Sequence, residues 1–196
     1  MITLESPIID KRFLPPQVEL SNSVRQMWVD MVRLIRVYIT RTLFNVGVHE
    51  SKDAVDLHLK RTAAELRDLL IPYYGEDVGN QVQENFLDFI YQLEQLIDSY
   101  GNKDQHAIVQ HRKNLQFLAN NFSQSYAIIN SYYNRAVVQE LFYEFIDSVE
   151  KQVISIMNND YSADLEEYDR FMSIAYRLAD EFIYGILRQS YYTPAG

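Results

Sequence analysis

Four histidines and two acidic stripes are the side chains in this chain whose types and spacing suit chemistry. Glu140, Glu144 and Asp147 fall at i, i+4 and i+7, so on a helix they face one way, and Glu84 and Asp88 repeat the pattern earlier. Pointed into a bundle interior, such carboxylates could converge on one centre. Pointed outward, they make a solvated helix face, which is the simpler reading. His111 falls on an apolar stripe between Ile108 and Leu115. There a buried, hydrogen-bonded imidazole is the plain expectation, and a metal ligand the sharper one. His49 follows Gly47 in a predicted loop, His58 sits between Asp56 and Lys60, and His106 opens a helix; all three read as surface residues.

Several chemistries are excluded by composition. The chain has no cysteine, hence no disulfide, thiol nucleophile or cysteine-ligated metal. It contains no GxGxxG, GxxxxGK[ST] or HExxH. The Glu-x-x-His pair that ferritin-like di-iron bundles place on two helices is also missing. A net charge of −9 disfavours nucleic acid and anionic lipid as partners. No run of residues is apolar enough to span a bilayer, and the N-terminus has no basic segment leading into an apolar one. The expectation is a cytoplasmic protein without membrane or nucleic-acid partners.

The elements that must position these residues read as helices throughout. Residues 1–20 hold Pro7, Pro15 and Pro16 and are expected to form an extended arm. Ser21 or Ser23 then caps a helix to about Val46, with Val24, Met27, Trp28, Met31, Leu34, Ile35, Tyr38 and Ile39 on its inner stripe. Arg25, Arg33, Arg36 and Arg41 make this helix basic, suited to ion pairs with acidic neighbours. A short helical pair follows, with Ser51 capping the first member and Thr62-Ala-Ala-Glu65 a capping box for the second. Four more helices are predicted at about 76–100, 105–122, 135–157 and 162–189, the last with Leu165, Tyr168, Met172, Ala175, Ala179, Phe182 and Ile186 on its seam. Residues 191–196 form a tail. The fold class is therefore all-α, an antiparallel bundle of five long helices plus a short pair, with a single domain at 21–190.

The bundle repeats itself in sequence. Residues 82–104 align without a gap on 138–160, with 10 of 23 positions identical, where about one or two are expected by chance. PYYG at 72–75 echoes SYYN at 131–134, and LANNF at 118–122 echoes LADEF at 178–182. The pattern predicts an internal duplication of units at about 66–122 and 124–182. The offset grows from 56 to 60 residues within the second unit, an added helical turn that keeps the buried face in phase.

RDLLIPYYGEDVG with the helix after it, and NDYSADLEEYDRF through LADEFIYGILRQ, resemble a group of small all-helical proteins of spore-forming bacteria often labelled acetylglutamate kinase or glycosyltransferase. The likeness covers most of 24–189. The glycine-rich loops and α/β alternation that either activity needs are missing here, so the resemblance implies a helical bundle. It also implies a metal centre in the relatives, built from an acid–His pair in each repeated helix and a histidine in the first. The matching places here are Asp88-Phe89, Glu144-Phe145 and Met31, with Asn120 and Asp180 matching two further polar positions. Apolar side chains cannot coordinate a metal. The primary expectation is thus a non-enzymatic scaffold or interaction protein, binding a protein partner or a second copy of itself through the arm or the tyrosine-rich tail, with no cofactor and the ancestral metal centre replaced by packed core. The alternatives are a carboxylate-rich metal site using Asp88, Asn120, Glu144, Asp180 and His111, or a carrier of an apolar small ligand.

Overall fold

The computed structural model describes residues 15–44 and 49–192. Six helices fill them: α1 (Pro15–Phe44), α2 (His49–Tyr74), α3 (Glu76–Gly101), α4 (Gln105–Ile129), α5 (Arg135–Met157) and α6 (Tyr161–Tyr192), with no strand among the described residues. Each helix packs on the next, α6 closes against α1, and α1, α3 and α5 also touch one another. The result is a ring of six with an inner triangle, α1, α3 and α5, and an outer set, α2, α4 and α6. Side-chain pairs give the directions. Tyr38 and Thr42, late in α1, reach Asp98 late in α3, so these helices run parallel. Arg25 early in α1 meets Asp180 late in α6, while Arg36 meets Asp164 at the start of α6, so those two run antiparallel.

The inner helices share one register. Trp28, Phe86 and Phe142 are each fully buried, and the Trp28 ring stands 5.6 Å from that of Phe86 and 6.1 Å from that of Phe142. Three residues on, Met31, Phe89 and Phe145 make the next layer, also fully buried, with the two phenylalanine rings 6.1 Å apart. Edge-to-face and tilted contacts of this kind add to the burial of large apolar surface. The outer helices match likewise through Ala63, Ala119 and Ala179, all fully buried, followed three residues later by Leu66, Phe122 and Phe182. The small alanines let each outer helix approach the inner triangle, and the larger residues fill the space beside them.

Two turns repeat in detail. After α3, Lys103 N donates to Tyr100 O and Asp104 N to Ser99 O, with Lys103 at φ 58°. After α5, Asn159 N donates to Ile156 O and Asp160 N to Ser155 O, with Asn159 at φ 57°. Both are Schellman closures with a left-handed residue. In each, the aspartate then caps the next helix, Asp104 accepting from Ala107 N at 3.0 Å and Asp160 from Ala163 N at 3.1 Å. One residue ends a helix and starts another.

Several expectations change; among them, α4 runs past its expected end near 122 to Ile129. The first helix begins at Pro15, because prolines 15 and 16 occupy its first turn, where a missing N–H costs nothing; Ser21 is inside it, bonded to Gln17 O. Residues 1–14 of the predicted arm and 193–196 of the predicted tail lie outside the described residues, while residues 191 and 192 of that tail end α6. The short pair is one continuous helix, α2, so the helices are six long ones. Thr62 caps nothing: its hydroxyl bonds to Leu59 O, and Pro72 is accommodated in the last turn. His49 opens α2 instead of lying in a loop. Leu165, expected on the α6 seam, is 62% exposed, since the buried face is centred on Phe171, Ala175, Leu178 and Phe182.

Candidate functional site

The five residues of the metal alternative do not come together. Asp88 is exposed on α3. Glu144 is bound to Arg177 Nη1 at 2.6 Å, and Asp180 to Arg25 at 2.6 Å. Asn120 Oδ1 accepts from Arg135 at 3.2 Å and from Gln139 at 3.0 Å. His111, half-buried on α4, lies with Nδ1 2.9 Å from Gln92 Oε1, an acceptor to which the ring N–H donates. Among the described residues no group of three His, Asp or Glu side chains is placed to hold a metal ion. Of the carboxylate stripes, Glu84, Asp88, Glu140 and Asp147 are exposed. The solvated-face reading describes them. His58 and His106 are exposed as well.

The unusual polar groups lie elsewhere, at the seams between inner and outer helices. Glu150 on α5 is 2% exposed. Arg112 of α4 grips it, Nε 3.0 Å from Oε1 and Nη2 2.7 Å from Oε2, and Tyr100 donates to Oε1 at 3.0 Å. Burial and the Glu150 charge push the Tyr100 hydroxyl up to about 12. Arg36 of α1 forms a two-pronged pair with Asp164 of α6 and lies over the Tyr168 ring. Ser148 donates to Glu167.

A second seam joins α1, α2 and α3. Glu94 is 7% exposed, and its Oε1 receives no hydrogen bond from any described donor. Burial, followed by the nearby charge of Asp56, pushes its carboxyl up to about 8. Lys60 donates to Asp56 at 2.7 Å, and Tyr38 to Asp98 at 3.1 Å. Burial together with Asp98 raises the Tyr38 hydroxyl, which stays protonated. The void lined by Ile35, Tyr38, Leu59, Ile90, Leu93, Glu94 and Ile97 is too narrow for a water molecule. Sequence reasoning missed Glu94 and Glu150. Their alignment with each other was visible, yet each sits within an apolar stripe where a lone Glu reads as an edge residue.

A groove of about 700 Å³ opens between α1 and α2. Asn22, Gln26, Met27 and Asp30 form one wall, and Glu65, Asp68 and Leu69 the other. A continuation of about 300 Å³ shares Asp30 and Glu65 and adds Arg33, Arg61 and His58. No helix among the described residues is long and apolar enough to cross a membrane. Comparison with protein-family models, curated proteins and solved structures finds no match to this chain.

Proposed function

We propose that this chain is a non-enzymatic helical scaffold that presents the α1–α2 groove to a protein partner. The observation that carries the reading is the filled centre. At the level where three inner helices could have aimed polar groups at one another, Met31, Phe89 and Phe145 are fully buried, while the neighbouring Asp30 and Glu144 make pairwise ion pairs and Asp88 is exposed. The groove supports the choice of face. In the α5–α6 hairpin, Glu144 and Arg177 close on each other. The matching residues of α1 and α2 are Asp30 and Arg61, by their spacing from Met31 and Ala63. There Asp30 turns to Gln26 and Arg33 instead, and the seam stays open with polar and apolar lining of both kinds. Such a mixed, shallow surface suits a protein more than an enclosed small molecule.

The same reading holds that the bundle arose by duplication of a helical hairpin. Support comes from the shared register of α3 and α5, the paired Schellman turns, and the tyrosines of the two echoing turns, Tyr74 and Tyr133, whose hydroxyls lie 3.3 Å apart. α1 and α2 follow the same register and extend the argument to a third hairpin.

A photo-crosslinker placed at Asp68, beside the groove, is expected to trap one recurrent partner in cells, whereas one at Lys151 on the far side of α5 traps none. Leu69→Arg in a chain that still folds should abolish the product. Equal trapping from both positions, or a stoichiometric metal or a turnover in the purified chain, would overturn the proposal.

A further inference from the structure

Glu94 of α3 and Glu150 of α5 stand at matching places, each five residues beyond the buried Phe89 or Phe145. Facing each is one charged residue of the preceding outer helix, also matched: Asp56 lies seven residues before Ala63 in α2, and Arg112 seven before Ala119 in α4. The two seams therefore have one geometry and two chemistries. Glu150 meets a guanidinium. Glu94 meets a carboxyl within hydrogen-bonding reach.

Two carboxyls this close, one of them buried, resist ionising together. One must keep a proton and donate it to the other. Lys60 Nζ lies 2.7 Å from Asp56 Oδ2 and puts a positive charge beside that carboxyl. Glu94 has the deeper burial, an Oε1 without any donor among the described residues, and beside it a void lined by aliphatic side chains and Tyr38. It is the better seat for the proton.

The geometry points to a proton-linked latch: Glu94 donates its proton to Asp56, this bond holds α2 against α1 and α3, and removing the proton loosens α2. The remaining charges around the pair sharpen the effect. α2 adds Asp53, one turn before Asp56, and α3 adds Asp98 one turn on. From α1 come Tyr38 and Thr42, both donating to Asp98. From α4, the other neighbour of α3, Arg112 is engaged by Glu150 and His111 by Gln92. An ionised Glu94 would thus face two carboxylates, with Lys60 the nearby cation among the described residues. Its carboxyl, pushed up to about 8, releases the proton at mildly alkaline pH.

The sign follows from the two states. An unfolded glutamate loses its proton near about 4.3, and the folded one near about 8. Between these values the folded chain holds a proton that the unfolded chain has released, so stability falls as pH rises through that window and levels off above it. The latch stands whether or not the α1–α2 groove takes a partner, because it is read from the packing of α2 alone.

The test uses the full chain, Glu94→Gln and Asp56→Arg. Carbon-13 NMR of the glutamate carboxyls should show one signal, absent from Glu94→Gln, titrating near pH 8. Melting temperature should fall between pH 5 and 8 by more in the wild type than in Glu94→Gln, whose amide stays neutral and keeps a donor for Asp56. Hydrogen exchange in α2 should accelerate between pH 7 and 9 beyond the intrinsic base-catalysed rise in the wild type, and follow that rise alone in the Gln variant. Asp56→Arg, which recreates the Glu150 arrangement, should bring the Glu94 signal back below about pH 5. A Glu94 signal titrating near its ordinary value in the wild type, or melting curves with the same pH dependence in wild type and Glu94→Gln, would sink the latch.

Discussion

A Cβ added to Gly185 would lie 2.0 Å from the Tyr133 ring, which makes this glycine a contact and not a helix defect. Helix propensity favours alanine there by about 1 kcal/mol, so the residue is kept for space. Tyr133 packs edge-on to Tyr126 and beside Phe182, and Asn130 Nδ2 donates to Gly185 O at 2.8 Å. Gly185→Ala should therefore destabilise the chain by about 1–3 kcal/mol, seen as a lower melting temperature; a gain would mean the ring is not against that backbone. Arg112 gives a complementary case. Arg112→Met leaves Glu150 buried with only the Tyr100 hydroxyl, at a cost of about 3–5 kcal/mol, whereas the double variant with Glu150→Met should recover most of it. Chemical denaturation of the three variants checks this. Such residues were poorly legible in the sequence. A glycine inside a periodic helix gives no sign of the ring that needs it, and a glutamate on an apolar stripe does not announce whether a guanidinium or a carboxyl will face it. The aromatic layers were legible, because Phe89 and Phe145 fall on the core stripe in both copies of the repeat.

At the scale of elements, apolar periodicity placed α3 through α6, since a three-to-four spacing sustained over several turns admits one answer. The boundaries needed tertiary information. Pro15-Pro16 reads as extended chain or as a first helical turn with equal local cost, and α1 takes the second because Val24 through Ile39 must be presented to α3, α5 and α6 as one rod. Thr62 likewise satisfies both a capping box and a back-bond to Leu59 O; burial at Ala63 and Leu66 decides for the uninterrupted helix. The Schellman turns yield a prediction at this scale. Asp104→Ala and Asp160→Ala each remove a cap and should each cost about 0.5–2 kcal/mol. The turns share no hydrogen-bonding partner, so the double variant should sum the two losses to within about 0.5 kcal/mol. Thr62→Ala, by contrast, should lower the melting temperature only slightly, because no helix starts there.

The whole molecule depends on α6 returning to α1, since without that seam the six helices would be an open chain of hairpins with the aromatic layers exposed along one edge. Among the described residues two ion pairs cross the seam, and they differ in burial. Arg25–Asp180 is open to water, at 47% and 55% side-chain exposure, and pairs of that kind contribute about 0–1 kcal/mol. Arg36–Asp164 is not open: the carboxylate is 4% exposed, and the guanidinium lies over Tyr168 with Gln152 beside it. Asp164 also sits in the first turn of α6, where the helix dipole favours a negative charge. Removing it strands a half-buried guanidinium and weakens the start of the helix together. Asp164→Ala should therefore cost about 3–5 kcal/mol, against less than about 1 kcal/mol for Asp180→Ala. Hydrogen exchange would locate the loss: protection should fall on both sides of the seam, at the N-terminal turns of α6 and in α1 around Arg36, while the α3–α4 hairpin keeps its protection. Equal costs for the two substitutions would mean that the ring is closed by its apolar face alone.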